Sequence, residues 1–191
     1  MIIQIDTREH KKERQRIEQQ FDALGIKYYN SKLYVGDYMS VDNPLLIIDR
    51  KKDIGEIYSN VVQGHERFVA ELLRAQEVGI QLVILCEHGA DIQTLVDVKW
   101  WENPRRKRYR SYVDKDGKTR WFRFDGNNRV AVKRPPLDGK ELYDRLVTMQ
   151  QKYNIRFEFC DKAETGKRIA EILGGEINGK GLYINSQKDL G

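Results

Sequence analysis

Short apolar runs alternate along this chain with stretches of helical period. Ile2, Ile3 and Ile5 open it as a buried strand over 1–5, ending at Asp6, Thr7, Arg8 and Glu9. A period of 3.6 then places Ile17, Phe21 and Leu24 on one face of a helix over 10–24, with Gly25 as its stop. Short strands are predicted over 26–29 and 33–41. After a turn at Pro44, the run Leu45-Leu46-Ile47-Ile48 reads as a strand over 45–49 buried on both faces. Two helices follow over 53–62 and 65–78, broken near Gly64, the second with Phe68, Leu72 and Ala75 inward and Gly79 at its end. Another buried strand over 80–86 and a short helix over 91–96 come next.

Between 97 and 136 this alternation stops. Asp116-Gly117, flanked by Tyr112-Val113 and Trp121-Phe122, signals a hairpin, and Pro135-Pro136 closes the segment. Asp138 then caps a helix, with Glu141 three residues on as in a capping box and Leu142, Leu146, Met149 and Tyr153 as its apolar stripe. A strand over 155–160 and a helix over 163–173, stopped by Gly174-Gly175, complete the pattern. Strands alternating with helices give an α/β sheet covered on both faces. The expected organisation is a single domain over 1–173, with a basic aromatic insertion over 97–136 and a loosely held tail over 174–191.

Composition narrows the class. The chain has 191 residues, 40% hydrophobic and 33% charged, which suits a soluble domain with its own core. No apolar run approaches a membrane span, and the start lacks the pattern of a signal peptide, so a cytoplasmic location is expected. Cys86 and Cys160 each end an apolar run without a CxxC partner and read as buried free thiols. The net charge of +5 is concentrated: residues 100–134 hold twelve Lys and Arg against four Asp and Glu. The rest of the chain, with 22 basic and 25 acidic residues, is slightly negative. A basic segment on a mildly acidic body points to a polyanion, most often nucleic acid. Arg105, Arg106, Lys107, Arg108 and Arg110 are its candidate phosphate contacts, and Trp100, Trp101, Tyr109 and Trp121 its candidate base stackers. The same residues also read as a hairpin with aromatics on the core and cations in solvent. His10, His65 and His88 have no nucleophile or zinc spacing, and no Gly-rich phosphate loop joins a strand to a helix, which argues against a nucleotide cofactor.

The most specific chemistry lies around the central strand. A buried strand that ends in Asp49, Arg50 and Lys51 needs partners, an ion or solvent there, because unpaired buried charge is costly. Gly36-Asp37 can turn a second carboxylate toward the same spot. Two carboxylates and an ammonium describe a Mg²⁺ site with a positioned lysine, suited to phosphate-ester hydrolysis. The alternative is a solvated strand-to-helix turn with Asp53 as helix cap, and Gly36-Asp37 as an ordinary hairpin turn.

Ile5-Asp6-Thr7-Arg8-Glu9, Val35-Gly36-Asp37-Tyr38 and Ile48-Asp49-Arg50-Lys51 occur in order, each at a predicted strand end. Together they resemble the nuclease domain of the XPF-type structure-specific endonucleases, in the PD-(D/E)xK superfamily, over residues 2–87. The resemblance implies a restriction-endonuclease-like central mixed sheet flanked by helices. It implies a Mg²⁺-dependent DNA endonuclease, with Mn²⁺ able to substitute, that leaves a 5′-phosphate and a 3′-hydroxyl. By the same resemblance Asp37 and Asp49 are metal ligands, with Glu9 or Asp6 a possible addition. Lys51 positions the attacking water, and Arg50 supports the site or a phosphate. Asp6, Arg8 and Glu9 support it, with Asp53 or Glu56 as the acid expected after Lys51, and Gln63, Arg67 and Glu71 on the flanking helices contact DNA or a second subunit, or else face solvent. The implied partner is branched or partly single-stranded DNA in repair, recombination or replication, with homodimerisation possible. An exonuclease or junction resolvase is the alternative task, and a catalytically silent DNA-binding module the alternative class. Two departures stand out. Asp49 replaces the usual Glu, and no tandem helix-hairpin-helix module is legible after the nuclease domain, as in compact phage and bacterial relatives.

Overall fold

The computed structural model describes residues 1–89, 91–178 and 181–184. The chain runs β1 (Ile2–Ile5), α1 (Lys11–Ala23), β2 (Lys27–Asn30), β3 (Tyr38–Ser40), β4 (Asn43–Lys51), α2 (Ile54–Val62), α3 (His65–Glu77) and β5 (Gln81–Glu87). After 3-10 turns at Leu95–Trp100 and Pro104–Arg108 come β6 (Tyr109–Val113), β7 (Thr119–Asp125) and β8 (Asn128–Val132). Next are α4 (Gly139–Tyr153), β9 (Arg156–Cys160), α5 (Thr165–Ile172), β10 (Gly175–Asn178) and β11 (Gly181–Ile184).

The main sheet has six strands in the order β2-β1-β3-β4-β5-β9. All neighbouring pairs are parallel except those made by β3, which is antiparallel to both β1 and β4. The sheet is therefore mixed and the α/β reading holds. Side chains alternate across it and feed two cores. Ile47, Leu82, Ile84 and Cys86 pack with α2, α3 and α4 on one face. Ile48, Val83 and Leu85 pack with Ile17 and Phe21 of α1 and Ile169 of α5 on the other. The stripes predicted for α3 and α4 are buried as expected, and Asp138 and Glu141 form the expected capping box. Cys86 and Cys160 are free and buried, and burial pushes the Cys160 thiol up to about 11.

Five expectations need correction. The strand over 33–41 shrinks to Tyr38–Ser40. Before it, the Leu33 N–H donates to the Asp6 carboxylate at 2.7 Å, and Gly36 bends the chain with φ of +64°. Side-chain and loop bonds there replace a ladder. Pro44 is not the turn; β4 starts at Asn43, and the turn is at 41–42. β5 pairs with β4 only from Leu46 onward, so Leu45 has no neighbour on that side and is 55% exposed. The short helix expected over 91–96 is a 3-10 turn at Leu95–Trp100, because Thr94, its N–H bonded to Asp97 at 2.8 Å, sets the start. The single hairpin is a three-stranded sheet: a second tight turn at Gly126-Asn127, just after Asp125 and with φ of +58° at the glycine, adds β8. Within the tail, Gly175–Asn178 pairs antiparallel with Gly181–Ile184, while 179–180 and 185–191 lie outside the described residues. Among the described residues no helix is long and apolar enough to cross a membrane.

Candidate active site

Topology gathers the charged residues at one edge. β1, β4 and β5 all end there, so Asp6, Lys51 and Glu87 arrive together, and antiparallel β3 begins there, which brings in Asp37 just before it. Ligand sites of α/β sheets sit at this carboxyl edge. Asp37 is pinned by its backbone: its N–H donates to Ile48 O and its carbonyl accepts from Asp6 N–H, both at 2.8 Å. Its Oδ2 accepts the Arg50 N–H at 2.8 Å.

Strand alternation separates the Asp49-Arg50-Lys51 run into two roles. Asp49 and Lys51 share a face and form a buried ion pair, with Lys51 Nζ 2.8 Å from Oδ1 and 2.6 Å from Oδ2. The Oδ2 contact is short but poorly directed, so that buried oxygen accepts no well-formed hydrogen bond. Arg50 faces the other way. Its guanidinium donates to Glu9 Oε1 at 2.8 Å and to Glu87 Oε2 at 3.0 Å. Glu87, fully buried, also accepts from Thr165 Oγ1 at 2.7 Å and from Arg16. This network ties β4 and β5 to α1 and α5 beneath the site.

The charges tune one another. Burial and the neighbouring carboxylates of Asp49 and Glu9 push the Asp37 carboxyl well above its ordinary range. Burial alone would depress the Lys51 ammonium, but Asp49 and Asp37 outweigh it and hold the group charged well above neutral pH. Burial also opposes charge on Asp6, yet the Arg8 side chain and the Arg8 and Leu33 N–H groups keep it below the usual carboxylate range.

Asp37, Asp49 and Lys51 line one cavity of about 840 Å³, open to solvent and rimmed by Arg8, Arg67, Arg105 and Lys162. Glu9 and Glu56 also border it. Glu56 accepts from Lys52 N–H at 2.9 Å, and Asp53 caps α2 through the Glu56 N–H at 2.7 Å, as the capping reading expects. Asp6 stays outside the cavity, holding the 33–37 loop. Glu9 is engaged by Arg50 instead of joining a third ligand position. Among the described residues no three Asp, Glu, His or Cys side chains converge as a metal-holding group. The two carboxylates still fit a Mg²⁺-type ion, which takes one or two carboxylates and completes its octahedron with water and substrate phosphate. The unsatisfied Asp49 oxygen and the disfavoured charge on Asp37 are what such a cation would relieve.

The insertion divides. Arg105 reaches back to the cavity, bonded to Ser59 Oγ at 3.0 Å and stacked 4.7 Å over Tyr58. Arg106 is not free for a phosphate: it donates to Pro136 O at 2.8 Å, lies 3.5 Å from both Asp138 and Glu141, and covers the Trp121 ring. Trp101, partly buried, packs against the core beside Tyr58, and Trp121 lies under Arg106, so neither is an open stacking ring. Trp100 is 81% exposed. Lys107, Arg108 and Arg110 are exposed, away from the cavity, and Tyr109 is half-buried. Arg67 borders the cavity, Gln63 caps α2, and Glu71 is 3.4 Å from the Gly36 N–H. Sequence reasoning missed Glu87 and Lys162. A glutamate closing the apolar run Leu82-Val83-Ile84-Leu85-Cys86 carries the same signal as Asp49 after its own strand.

The sequence pattern of the ERCC4 domain family matches residues 5–172. No curated protein matches the chain. Among solved structures, XPF from Aeropyrum pernix superposes with a TM-score of 0.57 at 20% identity, over 91% of this chain and 63% of that one. The same protein in complex with DNA gives 0.55 at 19% identity, over 90% and 62%. The chain thus spans less than two thirds of that relative. Family pattern and fold agree: this chain belongs to the ERCC4 domain family and folds as an XPF-type nuclease domain.

Proposed function

We propose that this domain is a structure-specific DNA endonuclease that hydrolyses phosphodiester bonds with a divalent cation, Mg²⁺ or Mn²⁺, on branched or flapped DNA of repair, recombination or replication. The observation that carries this reading is the buried Asp49–Lys51 pair opening into the same cavity as Asp37. A cation held by Asp37 and Asp49 would withdraw charge from the phosphate and make its bound water a nucleophile near neutral pH. The residues of the chain supply the rest. Lys51, kept protonated by its neighbours, acts as a fixed cation that orients water or offsets charge growing on the phosphate. Arg67 and Arg105, which line the cavity, are the candidate phosphate contacts beside the scissile bond, while Arg8 is bonded to Asp6 and Lys162 to Glu13. Water attacks phosphorus, the P–O3′ bond breaks, and the products are a 5′-phosphate and a 3′-hydroxyl. DNA bound to the Aeropyrum pernix protein supports the choice of polymer.

Asp37→Asn tests the assignment. It keeps the shape and the Arg50 contact but loses the charge needed for a cation. Cleavage of an end-labelled flap substrate in Mg²⁺ should fall by about 10²-fold or more, while DNA affinity stays equal or rises. Wild-type cleavage by the variant would remove Asp37 from the mechanism.

A further inference from the structure

Strand alternation sorts the β6–β8 sheet into two unlike faces. Arg110 pairs with Phe122, Tyr112 with Arg120, Phe122 with Ala131 and Phe124 with Arg129, so all these residues share one face. Trp121 lies on the opposite face, under Arg106, which is itself bonded to Pro136 O and close to Asp138 and Glu141 of the α4 cap. The Trp121 face therefore looks toward the main body, and the other looks away.

That outward face is aromatic and cationic. Tyr112, Phe122 and Phe124 form a column with centroids 6.2 and 5.5 Å apart. Tyr112 is 52% and Phe124 50% exposed, whereas Phe122 is buried beneath them and under the Arg129 guanidinium, 4.1 Å from its centroid. Arg120 is paired with Asp114 at 2.6 Å. Arg110, which donates only to the Lys107 and Tyr109 carbonyls, Arg129 and Lys133 join no carboxylate among the described residues. A hydrophobic patch that only needed cover would not be ringed by unpaired cations. Open rings beside free cations suit a polyanion that also carries planar apolar faces.

We infer that this face is a stacking platform for unpaired bases of single-stranded DNA, the unpaired arm of the branched substrate, an assignment of partner that rests on the nuclease reading above. Tyr112 and Phe124 stack on successive bases, Phe122 supports them from below, and Arg110, Arg129 and Lys133 follow the phosphates. These are not the rings that composition alone singled out: Trp101 and Trp121 are structural.

The test is fluorescence anisotropy of a labelled oligo-dT with the full chain in EDTA, so that no cleavage is involved. Tyr112→Ala and Phe124→Ala should each weaken binding by about tenfold, as loss of one base–aromatic stack does, with Tyr112→Phe and Phe124→Tyr retaining affinity. Affinity for blunt duplex should change far less. Arg129→Ala with Lys133→Ala should flatten the salt dependence by about 0.7 per lost phosphate contact. Unaltered oligo-dT affinity in a folded Tyr112→Ala, Phe124→Ala double variant overturns the platform, as does an equal loss on duplex or tighter binding of oligo-U than oligo-dT. Should the double variant fail to fold by circular dichroism, the Arg129 and Lys133 variant decides through its slope. Because Asp37→Asn reads cleavage and these variants read binding without metal, either claim can fail while the other stands.

Discussion

Asp6 shows how a residue can belong to a nuclease motif and yet have a structural task. Its carboxylate accepts from the Arg8 N–H, Nε and Nη2 and from the Leu33 N–H, all between 2.6 and 2.9 Å. That locks the 33–37 loop that presents Asp37. Since these bonds hold its folded pKa below the unfolded value, the stabilisation is fully present above an unfolded value of about 3.9. It is lost as pH falls through the folded value. Asp6→Asn should therefore lower stability by about 1–3 kcal/mol at pH 7, and the gap to wild type should narrow as pH falls below the unfolded carboxylate value and through the lower folded one. Thermal melts of both proteins at pH 7 and in acid check this. A gap of unchanged size in acid contradicts it. Arg50 carries the complementary lesson. The resemblance gave it support of the site or of a phosphate, and the period of two in a strand turns it from Asp49 and Lys51 into the layer between Glu9 and Glu87, a place that suits support of the site.

At the scale of elements, the antiparallel strand β3 decides where the site forms. A loop from β1 to β4 that stayed on one edge could not return Asp37 to the carboxyl end of β4. The tight passage is at Gly36, with φ of +64°. A Cβ there would meet Ile47 Cγ2 at 2.6 Å and Ile48 O at 2.9 Å. Gly36→Ala must therefore pay about 1–2 kcal/mol of left-handed strain and also shift β3 from β4. Cleavage should fall more than stability, because Asp37 is the next residue. A variant that loses stability but keeps full specific activity, measured on its folded fraction, would detach the loop geometry from the chemistry.

Elements with a strong local signal were legible. The stripes of α3 and α4, the Asp138 cap and the buried β5 each rest on periodicity or capping within a few residues. The misread stretches were those set by tertiary partners. Residues 33–37 look like a strand by composition but bond to the Asp6 side chain, and Leu45 looks buried until the late start of β5 is known. Asp125-Gly126 carried the same turn signal as Asp116-Gly117, and reading it would have given the third strand. Of the candidate site, Asp37, Asp49 and Lys51 were found through strand ends. Glu87 was not, since its partners Arg16, Arg50 and Thr165 come from three separate elements.

Over the whole molecule, charge is divided between a near-neutral three-layer body that holds the acidic centre and an insertion that concentrates the cations. Arg105 bridges them, lining the cavity from the insertion side and bonded to Ser59 of α2. The proposed function and the proposed platform together predict a cut close to the junction of duplex and single strand, with the duplex at the cavity rim around Arg67 and the unpaired arm on β6–β8. The direct measurement is incubation of the wild-type chain with labelled linear, flapped, forked and four-way DNA, with Mg²⁺, with Mn²⁺ and with EDTA. The predicted result is cutting near the branch of the flapped or forked DNA, dependent on either divalent ion and abolished by EDTA. Binding of these substrates without cleavage in Mg²⁺ or Mn²⁺, or cleavage that survives EDTA, would contradict a metal-assisted centre built from Asp37, Asp49 and Lys51.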